Sequence, residues 1–196
     1  DVPSDSLIEN AYGLPDGKLL TWYKEGSITL WDLAKGEPVG ELKGHAGEYN
    51  GFMSLQGKKI LSWSEDSTLR LWDQGLVEDY EVLEGHRGGL KDVKFLPDDR
   101  VHSVGSDNVV RVWETETGAP ITRLETYNPE VDAYTMGNGH ILATASAGEM
   151  AVWSSKTYKL INHLSIEFGD DEEFEPFINN ISPLFKVSSR YFKINQ

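Results

Sequence analysis

The chain has 196 residues, of which 39% are apolar, and this is enough for one ordinary domain with a hydrophobic core. Its 32 acidic and 18 basic residues give a formal net charge of −14. Such a charge repels phosphate groups, which disfavours nucleic acid and anionic membranes as partners and favours basic proteins or peptides. The absence of cysteine from the sequence excludes disulfides, thiolate catalysis and cysteine-rich zinc sites.

Tryptophan recurs along the chain at a nearly constant interval. Trp31, Trp72, Trp113 and Trp153 are separated by 41, 41 and 40 residues. Each of them ends a short run in which side chains alternate in character, as in SITLW, TLRLW, VVRVW and MAVW. Because a period of two residues is typical of a β-strand, the sequence predicts one such strand in each of four repeated units.

Each unit is predicted to contain three further strands in the same order. The first strand ends in a tight turn (LPDGK, LQGKK, LPDDR or MGNGH), in which Asp and Gly supply the backbone angles of hairpin turns. A second strand (LLTWY, ILSWS, VHSVG or ILATA) and a second turn lead to the tryptophan strand, and a fourth strand closes the unit. The units span about residues 6–43, 44–84, 85–125 and 126–168, and a partial fifth unit occupies 169–196.

Two pairs of motifs connect these units to a known family. They are ELKGH together with TLWD, and VLEGH together with LRLWD. With them the sequence resembles the WD-repeat β-propeller family over about residues 6–168, and the second unit is expected to match best. The resemblance implies an all-β propeller with four complete four-stranded blades and part of a fifth. The chain would then be an incomplete ring or a fragment.

A second set of residues recurs with the tryptophans. Ser62 and Asp66 precede Trp72 by 10 and 6 residues, and His45 precedes Ser62 by 17. The same offsets recur one unit later at His86, Ser103, Asp107 and Trp113. The resemblance implies a structural tetrad, in which Trp72 donates a hydrogen bond to the serine, the serine to the histidine and the histidine to the aspartate.

The same residue types could form a Ser-His-Asp hydrolase triad, but two observations disfavour this alternative. A reaction site is normally single, whereas this set occurs twice, and neither serine lies in a G-x-S-x-G nucleophile elbow. The outer units keep less of the set. The first retains Thr21 and Trp31, and the fourth retains Trp153 but has Ala143 at the hydroxyl position.

The predicted function is therefore that of a non-catalytic protein-interaction scaffold. The resemblance implies that partners dock on the loops between blades and on the second turn of each blade. The exposed contact candidates there are Lys24, Glu48, Tyr49, Glu65, Arg87 and Ser106. We expect no catalytic residue, metal or cofactor. The alternatives are a structural accessory domain of a larger protein and an enzyme with its active site in the central channel.

Some expectations concern the surroundings of these blades. The sequence begins at Asp1 without a signal-like stretch, so we expect a piece of a longer, cytoplasmic protein. Bare end faces should promote self-association or be covered by further blades of the parent chain. Candidate residues for these faces are Trp22, Ile28, Leu30, Phe185, Tyr191 and Ile194. The acidic stretch 169–176 could bind calcium but is better explained as a solvated loop.

Overall fold

The computed structural model describes residues 8–23, 28–126, 131–145 and 149–165. Lys24, the stretch 169–176 and the predicted partial fifth blade lie outside the described residues. Within them the chain forms four antiparallel sheets of four strands each, and consecutive strands are neighbours in every sheet. No helix in these ranges is long and apolar enough to cross a membrane. The prediction of an all-β chain with four complete four-stranded blades is confirmed.

The sheets follow one another along the sequence. The first contains β1 (Ile8–Gly13), β2 (Lys18–Tyr23), β3 (Ile28–Asp32) and β4 (Glu37–Leu42). The second contains β5 (Tyr49–Leu55), β6 (Lys59–Ser64), β7 (Leu69–Asp73) and β8 (Leu76–Leu83), with a 3-10 turn at Gln56–Lys58. The third contains β9 (Leu90–Leu96), β10 (Arg100–Gly105), β11 (Val109–Glu114) and β12 (Pro120–Glu125). The fourth contains β13 (Asp132–Thr135), β14 (Ile141–Thr144), β15 (Glu149–Trp153) and β16 (Leu160–Ser165).

The first turn of each sheet requires backbone angles that most residues avoid. In the third sheet, Asp98 and Asp99 both have positive φ, at 62° and 53°. Two consecutive residues of this kind match the twist of the flanking strands, and aspartate tolerates the conformation better than most side chains. The corresponding turn of the first sheet uses Gly17, whose φ is 82°. The turn motifs of the sequence therefore lie where the chain reverses between the first two strands.

The chain divides into two compact units, and of the described residues the first contains 8–23, 28–91 and 115–119. Its core joins one face of the first sheet to one face of the second. Ile28 and Leu30 are fully buried there, in one cluster with Ile60 and Trp72. Trp22 is half-buried, and its ring meets the edge of Phe52 at a centroid distance of 4.8 Å. Ile28 and Leu30 were thus wrongly predicted to lie on an uncovered face, because the second sheet covers them.

Of the described residues, the second unit contains 92–114, 120–126, 131–145 and 149–165. Its core joins the third and fourth sheets through small and β-branched side chains. The fully buried members from the third sheet are Val104, Val110 and Val112, and Ile141 and Trp153 lie in the same cluster from the fourth. Valine and isoleucine suit this position, since branched side chains pack well on a pleated sheet.

Candidate functional site

An indole-to-hydroxyl hydrogen bond recurs in the first three sheets. Trp31 donates to Thr21, Trp72 to Ser62 and Trp113 to Ser103, and each Nε1–Oγ distance is 2.8 Å. Each pair joins the second strand of a sheet to the third, ten residues further along the chain. The constant offset follows from the common hairpin register, because a repeated register returns the same two side chains to the same face.

In the second sheet this bond extends into a chain of four side chains. Ser62 Oγ lies 2.8 Å from Nε2 of His45, and His45 Nδ1 lies 2.8 Å from Oδ2 of Asp66. A carboxylate accepts only, so the imidazole donates from Nδ1 and its Nε2 accepts the proton of Ser62. Ser62 in turn accepts the indole proton of Trp72. The polar side-chain atoms of these four residues thereby all have hydrogen-bond partners in the interior.

Asp66 anchors the far end of this chain. Its carboxylate accepts hydrogen bonds from the backbone N–H groups of Ala46 (2.9 Å) and Thr68 (3.0 Å), and from the Thr68 hydroxyl (2.7 Å). Burial opposes ionisation, but the hydrogen bonds from Thr68, Ala46 and His45 outweigh it and lower the pKa of Asp66 to about 2. The ionised carboxylate of Asp66 therefore connects the loop after β4 to the turn after β6 through hydrogen bonds.

His45 is buried in the neutral form. Desolvation lowers the pKa of its imidazole, and this effect exceeds the opposing influence of the Asp66 carboxylate. The order Asp66–His45–Ser62 is that of a hydrolytic triad. However, Ser62 is 0% exposed, and its oxygen already receives the indole proton of Trp72. A substrate carbonyl cannot reach this hydroxyl without unpacking the sheet.

The third sheet repeats part of this arrangement. Ser103 is 0% exposed and accepts the Trp113 indole proton, and His86 is also buried. Asp107 lies in the turn between β10 and β11, where its Oδ1 accepts the backbone N–H of Val109 at 3.3 Å. In the fourth sheet Ala143 stands at the serine position. The indole of Trp153 therefore lacks the hydroxyl acceptor that Trp31, Trp72 and Trp113 have.

Sequence reasoning missed the role of Arg70. Its guanidinium lies 4.5 Å from the centroid of the Tyr80 ring, and the residue is only 9% exposed. A Cβ at Gly44 would lie 1.9 Å from Arg70 Nη1 and 2.9 Å from Tyr80 Oη. The glycine of the Gly-His dipeptide is therefore required, since any side chain there would displace the stacked guanidinium. The sequence alone does not reveal this requirement, because Gly44 and Arg70 are 26 positions apart in it.

Glu48 and Glu65 lie side by side on the surface of the first unit. Both are exposed, and the backbone N–H of Glu65 donates to the carbonyl of Glu48 at 3.0 Å. The side-chain amide of Asn50 donates to Glu65 Oε1 and to the carbonyl of Leu90, both at 2.6 Å. A Cβ at Gly89 would lie 1.9 Å from Glu65 Oε2. The Glu65 carboxylate therefore packs against the backbone, whereas Glu48 projects from its loop.

The remaining contact candidates differ in exposure. Arg87 and Ser106 are exposed. Tyr49 is half-buried, since its hydroxyl donates to the carbonyl of Leu42 at 2.9 Å and its ring meets the edge of His45 at 4.8 Å. Burial raises the pKa of Tyr49 to about 12. Tyr49 is therefore less exposed than expected, because this side chain packs against the histidine of the tetrad, and its contact with a partner stays a prediction.

The described residues contain no group of three or more His, Asp or Glu that could hold a metal ion. Trp63 does not form an aromatic cage for a cation either. Trp63 is 7% exposed, and a Cβ at Gly51 would lie 2.3 Å from its ring. The indole therefore packs against the neighbouring strand and presents little surface to a cation.

The comparisons with known proteins agree with this architecture. The family model described as "WD domain, G-beta repeat" matches residues 78–114. This match, together with the four four-stranded sheets, supports a WD-repeat β-propeller. Among solved structures it is similar to the one titled "Crystal structure of WD40 beta propeller domain of Doa1", with 18% sequence identity and a TM-score of 0.58. The match covers 78% of this chain and 52% of that one, so the chain spans about half of that propeller. No curated protein matches the sequence.

The family match is offset from the sheets of the structure. It begins within β8, the last strand of the second sheet, and ends with β11, the third strand of the third sheet. One sequence repeat therefore supplies strands to two blades. The match also falls on Ser103, Asp107 and Trp113, so it supports the third unit, whereas we expected the second to match best.

Proposed function

We propose that this WD-repeat protein is a non-catalytic scaffold that binds a basic segment of a protein partner through its propeller loops. WD-repeat propeller domains generally act as protein-interaction scaffolds. The observation that carries the proposal is the pair of exposed acids Glu48 and Glu65, whose backbones are hydrogen-bonded to each other. A rigid, charged pair of loops suits recognition of a peptide, since little conformational freedom is lost on binding.

The rigidity of this surface comes from the tetrad beneath it. Asp66 follows Glu65 directly and binds the backbone of Ala46, two residues before Glu48. The hydrogen-bonded chain to Ser62 and Trp72 anchors this turn in the interior. We infer that the tetrad serves to hold the acidic loops in place, which is a structural role and not a catalytic one.

The net charge of −14 supports a basic partner. A negative field accelerates encounter with cationic ligands and repels nucleic acid and anionic lipid surfaces. We therefore expect affinity for lysine- and arginine-rich peptides that falls as salt screens the charges. We expect negligible binding of duplex DNA or RNA at physiological salt.

Fluorescence anisotropy with a panel of labelled basic peptides tests the proposal. Glu48→Lys should weaken binding about two- to tenfold, because it replaces an attraction at the surface with a repulsion. Glu37→Lys is the matched control, since Glu37 is an exposed acid on β4. The Glu48 position is the cleaner test, because Glu65 also contacts Asn50 and the backbone at Gly89.

The outcomes separate the alternatives. An equal loss of affinity in Glu48→Lys and Glu37→Lys would indicate a general charge effect. It would contradict the proposal that Glu48 lies in the interface. The absence of binding to every peptide would favour a structural accessory domain, and labelling of Ser62 by a fluorophosphonate would favour an enzyme. Self-association and a cytoplasmic location stay predictions, which light scattering at micromolar concentration and microscopy of the tagged protein can test.

A further inference from the structure

Within each compact unit, one face of a sheet packs against the sheet that follows it in the sequence. The residues one and three positions before the tryptophan of the earlier sheet lie in one buried cluster with the tryptophan of the later sheet. These residues are Ile28, Leu30 and Trp72 in the first unit, and Val110, Val112 and Trp153 in the second. Each such pair of sheets therefore buries two different faces against each other.

The two ends of this series are less well covered. Met150 and Val152 hold the corresponding positions in the fourth sheet and are half-buried. Their equivalents in the other three sheets are at most 3% exposed, and they are Ile28, Leu30, Leu69, Leu71, Val110 and Val112. Trp31 of the first sheet is also half-buried, whereas the other three repeat tryptophans are at most 5% exposed. The chain thus has one incompletely covered face on its fourth sheet and a different one on its first.

A basic side chain adds a polar contact between neighbouring sheets. It lies 13 residues before the tryptophan, at the start of the second strand, and donates to the turn that follows the tryptophan strand of the next sheet. The pairs are Lys18 with the side-chain oxygen of Gln74, Lys59 with the carbonyl of Glu116, and Arg100 with the carbonyl of Ser155. Because the contact recurs, it belongs to the packing of one sheet on the next.

The same two positions lack this contact at the ends of the series. His140 stands at the basic position of the fourth sheet, and its Nδ1 has no hydrogen-bond partner among the described residues. In the first sheet the turn after β3 begins with Leu33, which is 58% exposed. The residues at the same place in the second and fourth sheets, Gln74 and Ser155, are only 2% and 4% exposed.

We propose that the fourth sheet of one copy of this chain packs against the first sheet of a second copy. In this complex Met150 and Val152 meet the face that carries Trp31, as their equivalents meet a tryptophan face within each unit. His140 lies at the turn that begins with Leu33 and donates to a backbone carbonyl there. The blades of a repeat protein contact only their neighbours, so the new contact continues the existing series.

A second copy suits these surfaces because one chain carries both halves of the contact. The halves differ, so the contact is head-to-tail, and it either closes on itself or continues to further copies. The match to the Doa1 propeller covers 52% of that chain, so two copies supply about the length that it contains. The contact is apolar and uses none of the residues assigned to the basic partner, so it goes beyond the proposed function.

Salt distinguishes this association from the binding of a basic peptide. Each copy carries a formal net charge of −14, so two copies repel each other. Salt screens this repulsion and should strengthen the association of copies. The binding of a basic peptide depends on attraction between opposite charges, so salt should weaken it.

Sedimentation velocity of the whole chain tests the proposal. We expect the mass to rise from the 22.0 kDa of one chain to at least twice that value between about 1 and 100 µM protein, which corresponds to a dissociation constant of the order of 10 µM. The association should be stronger at about 500 mM salt than at about 50 mM.

Two substitutions each disable one face. Leu33→Glu places a charge on the turn of the first sheet, and the fold should be retained because Leu33 is exposed. Val152→Glu places a charge on the fourth sheet. Each should weaken association by about tenfold or more, since it brings an unpaired charge into an apolar contact. Ile121→Glu is the matched control, because Ile121 is an exposed apolar residue of β12 and should leave association unchanged.

An equimolar mixture of Leu33→Glu and Val152→Glu gives the sharpest test. The intact fourth sheet of the first variant can bind the intact first sheet of the second, so the mixture should form a complex of two chains although each variant alone is monomeric. A contact between two identical faces would instead leave one of the variants dimeric on its own. Circular dichroism verifies folding, and His140→Glu replaces Val152→Glu if that variant unfolds.

Three results would overturn the proposal. They are a monomer at about 100 µM protein, association of Leu33→Glu equal to that of the wild type, and a mixture of the two variants that stays monomeric. If the chain is monomeric and still binds basic peptides, the end faces are covered in another way and the proposed function is unaffected. If copies associate while no basic peptide binds, the proposed function alone fails.

Discussion

His102 should make the stability of this protein depend on mildly acidic pH. The side chain lies on β10 and is 1% exposed. Its Nε2 lies 3.1 Å from Thr135 Oγ1, and its Nδ1 is buried without a hydrogen-bond partner among the described residues. Burial, with a smaller contribution from the positive charge of Lys94, lowers the pKa of His102 to about 3. The folded protein therefore keeps this imidazole neutral.

The size of the effect follows from the two pKa values. In the unfolded chain a histidine titrates near its ordinary pKa of about 6.5. Between about pH 6.5 and pH 3 the unfolded state binds a proton that the folded state does not, so the free energy of unfolding decreases as the pH falls through this range. At about pH 5 the difference amounts to about 2 kcal/mol, since each pH unit below 6.5 contributes about 1.4 kcal/mol.

His102→Leu isolates this contribution. The equivalent residues of the other three sheets are Leu20, Leu61 and Leu142, so leucine suits the position. Thr135 also keeps a partner in the variant, because its hydroxyl donates to the carbonyl of Phe95. Urea denaturation of both proteins at about pH 7.5 and about pH 5 should show that the wild type loses about 2 kcal/mol more than the variant.

The comparison between the wild type and His102→Leu cancels the contributions of other titrating groups to the pH dependence. The pKa of His45 is also lowered by burial, so His45 contributes to acid sensitivity in the same direction. It is present in the wild type and in His102→Leu, and its contribution cancels in the difference. The same pH dependence in both proteins, or an NMR titration of His102 near pH 6.5, would refute the reasoning.

Three further substitutions test the packing around the tetrads by chemical denaturation. Ser62→Ala should destabilise the protein by about 1–3 kcal/mol, since it deprives the Trp72 indole of its acceptor, and an unchanged midpoint would contradict the structural role of the tetrad. Gly44→Ala should destabilise by about 1–3 kcal/mol, because its Cβ would lie 1.9 Å from a nitrogen of the buried Arg70. Wild-type stability in this variant would mean that the guanidinium is not held there. Ala143→Ser should stabilise the fourth sheet by about 1 kcal/mol, because it provides an acceptor for the Trp153 indole. A loss of stability would show that the indole is oriented differently from those of the other sheets.

The periodic residues of this chain could be predicted from the sequence because they depend on local register. Trp72 and Ser62 lie on adjacent strands joined by a short turn, so their offset of ten residues is the same wherever the hairpin is repeated. The strand order follows for the same reason, since each strand pairs with its neighbour in sequence. Local spacing was thus sufficient for the sheets and for the recurrence of these residues, whereas their tetrad was implied only by the family resemblance.

Contacts between sheets could not be predicted in this way. Alternation divides a strand into two faces, but it does not say which neighbour covers each of them. Ile28 and Leu30 were therefore expected on a bare surface, although the second sheet buries them. Tyr49 was expected to be exposed for a similar reason, because a loop position alone does not reveal a ring contact with His45.

The fourth sheet shows how the loss of a polar network can create a cavity. Removing one member of a buried hydrogen-bonded set leaves its partner unsatisfied, which costs about 1–3 kcal/mol. Replacing members with apolar residues avoids that cost, and Ala143 does so at the serine position, whereas Thr126 at the histidine position has a hydroxyl that donates to the carbonyl of Asn108. Ala151, however, fills much less space than Arg70 and Arg111, which pair with the serine in the second and third sheets. The loss of the tetrad therefore leaves a cavity of about 20 Å³ beside Glu149, which is also lined by Thr126, Ala143 and Ala151.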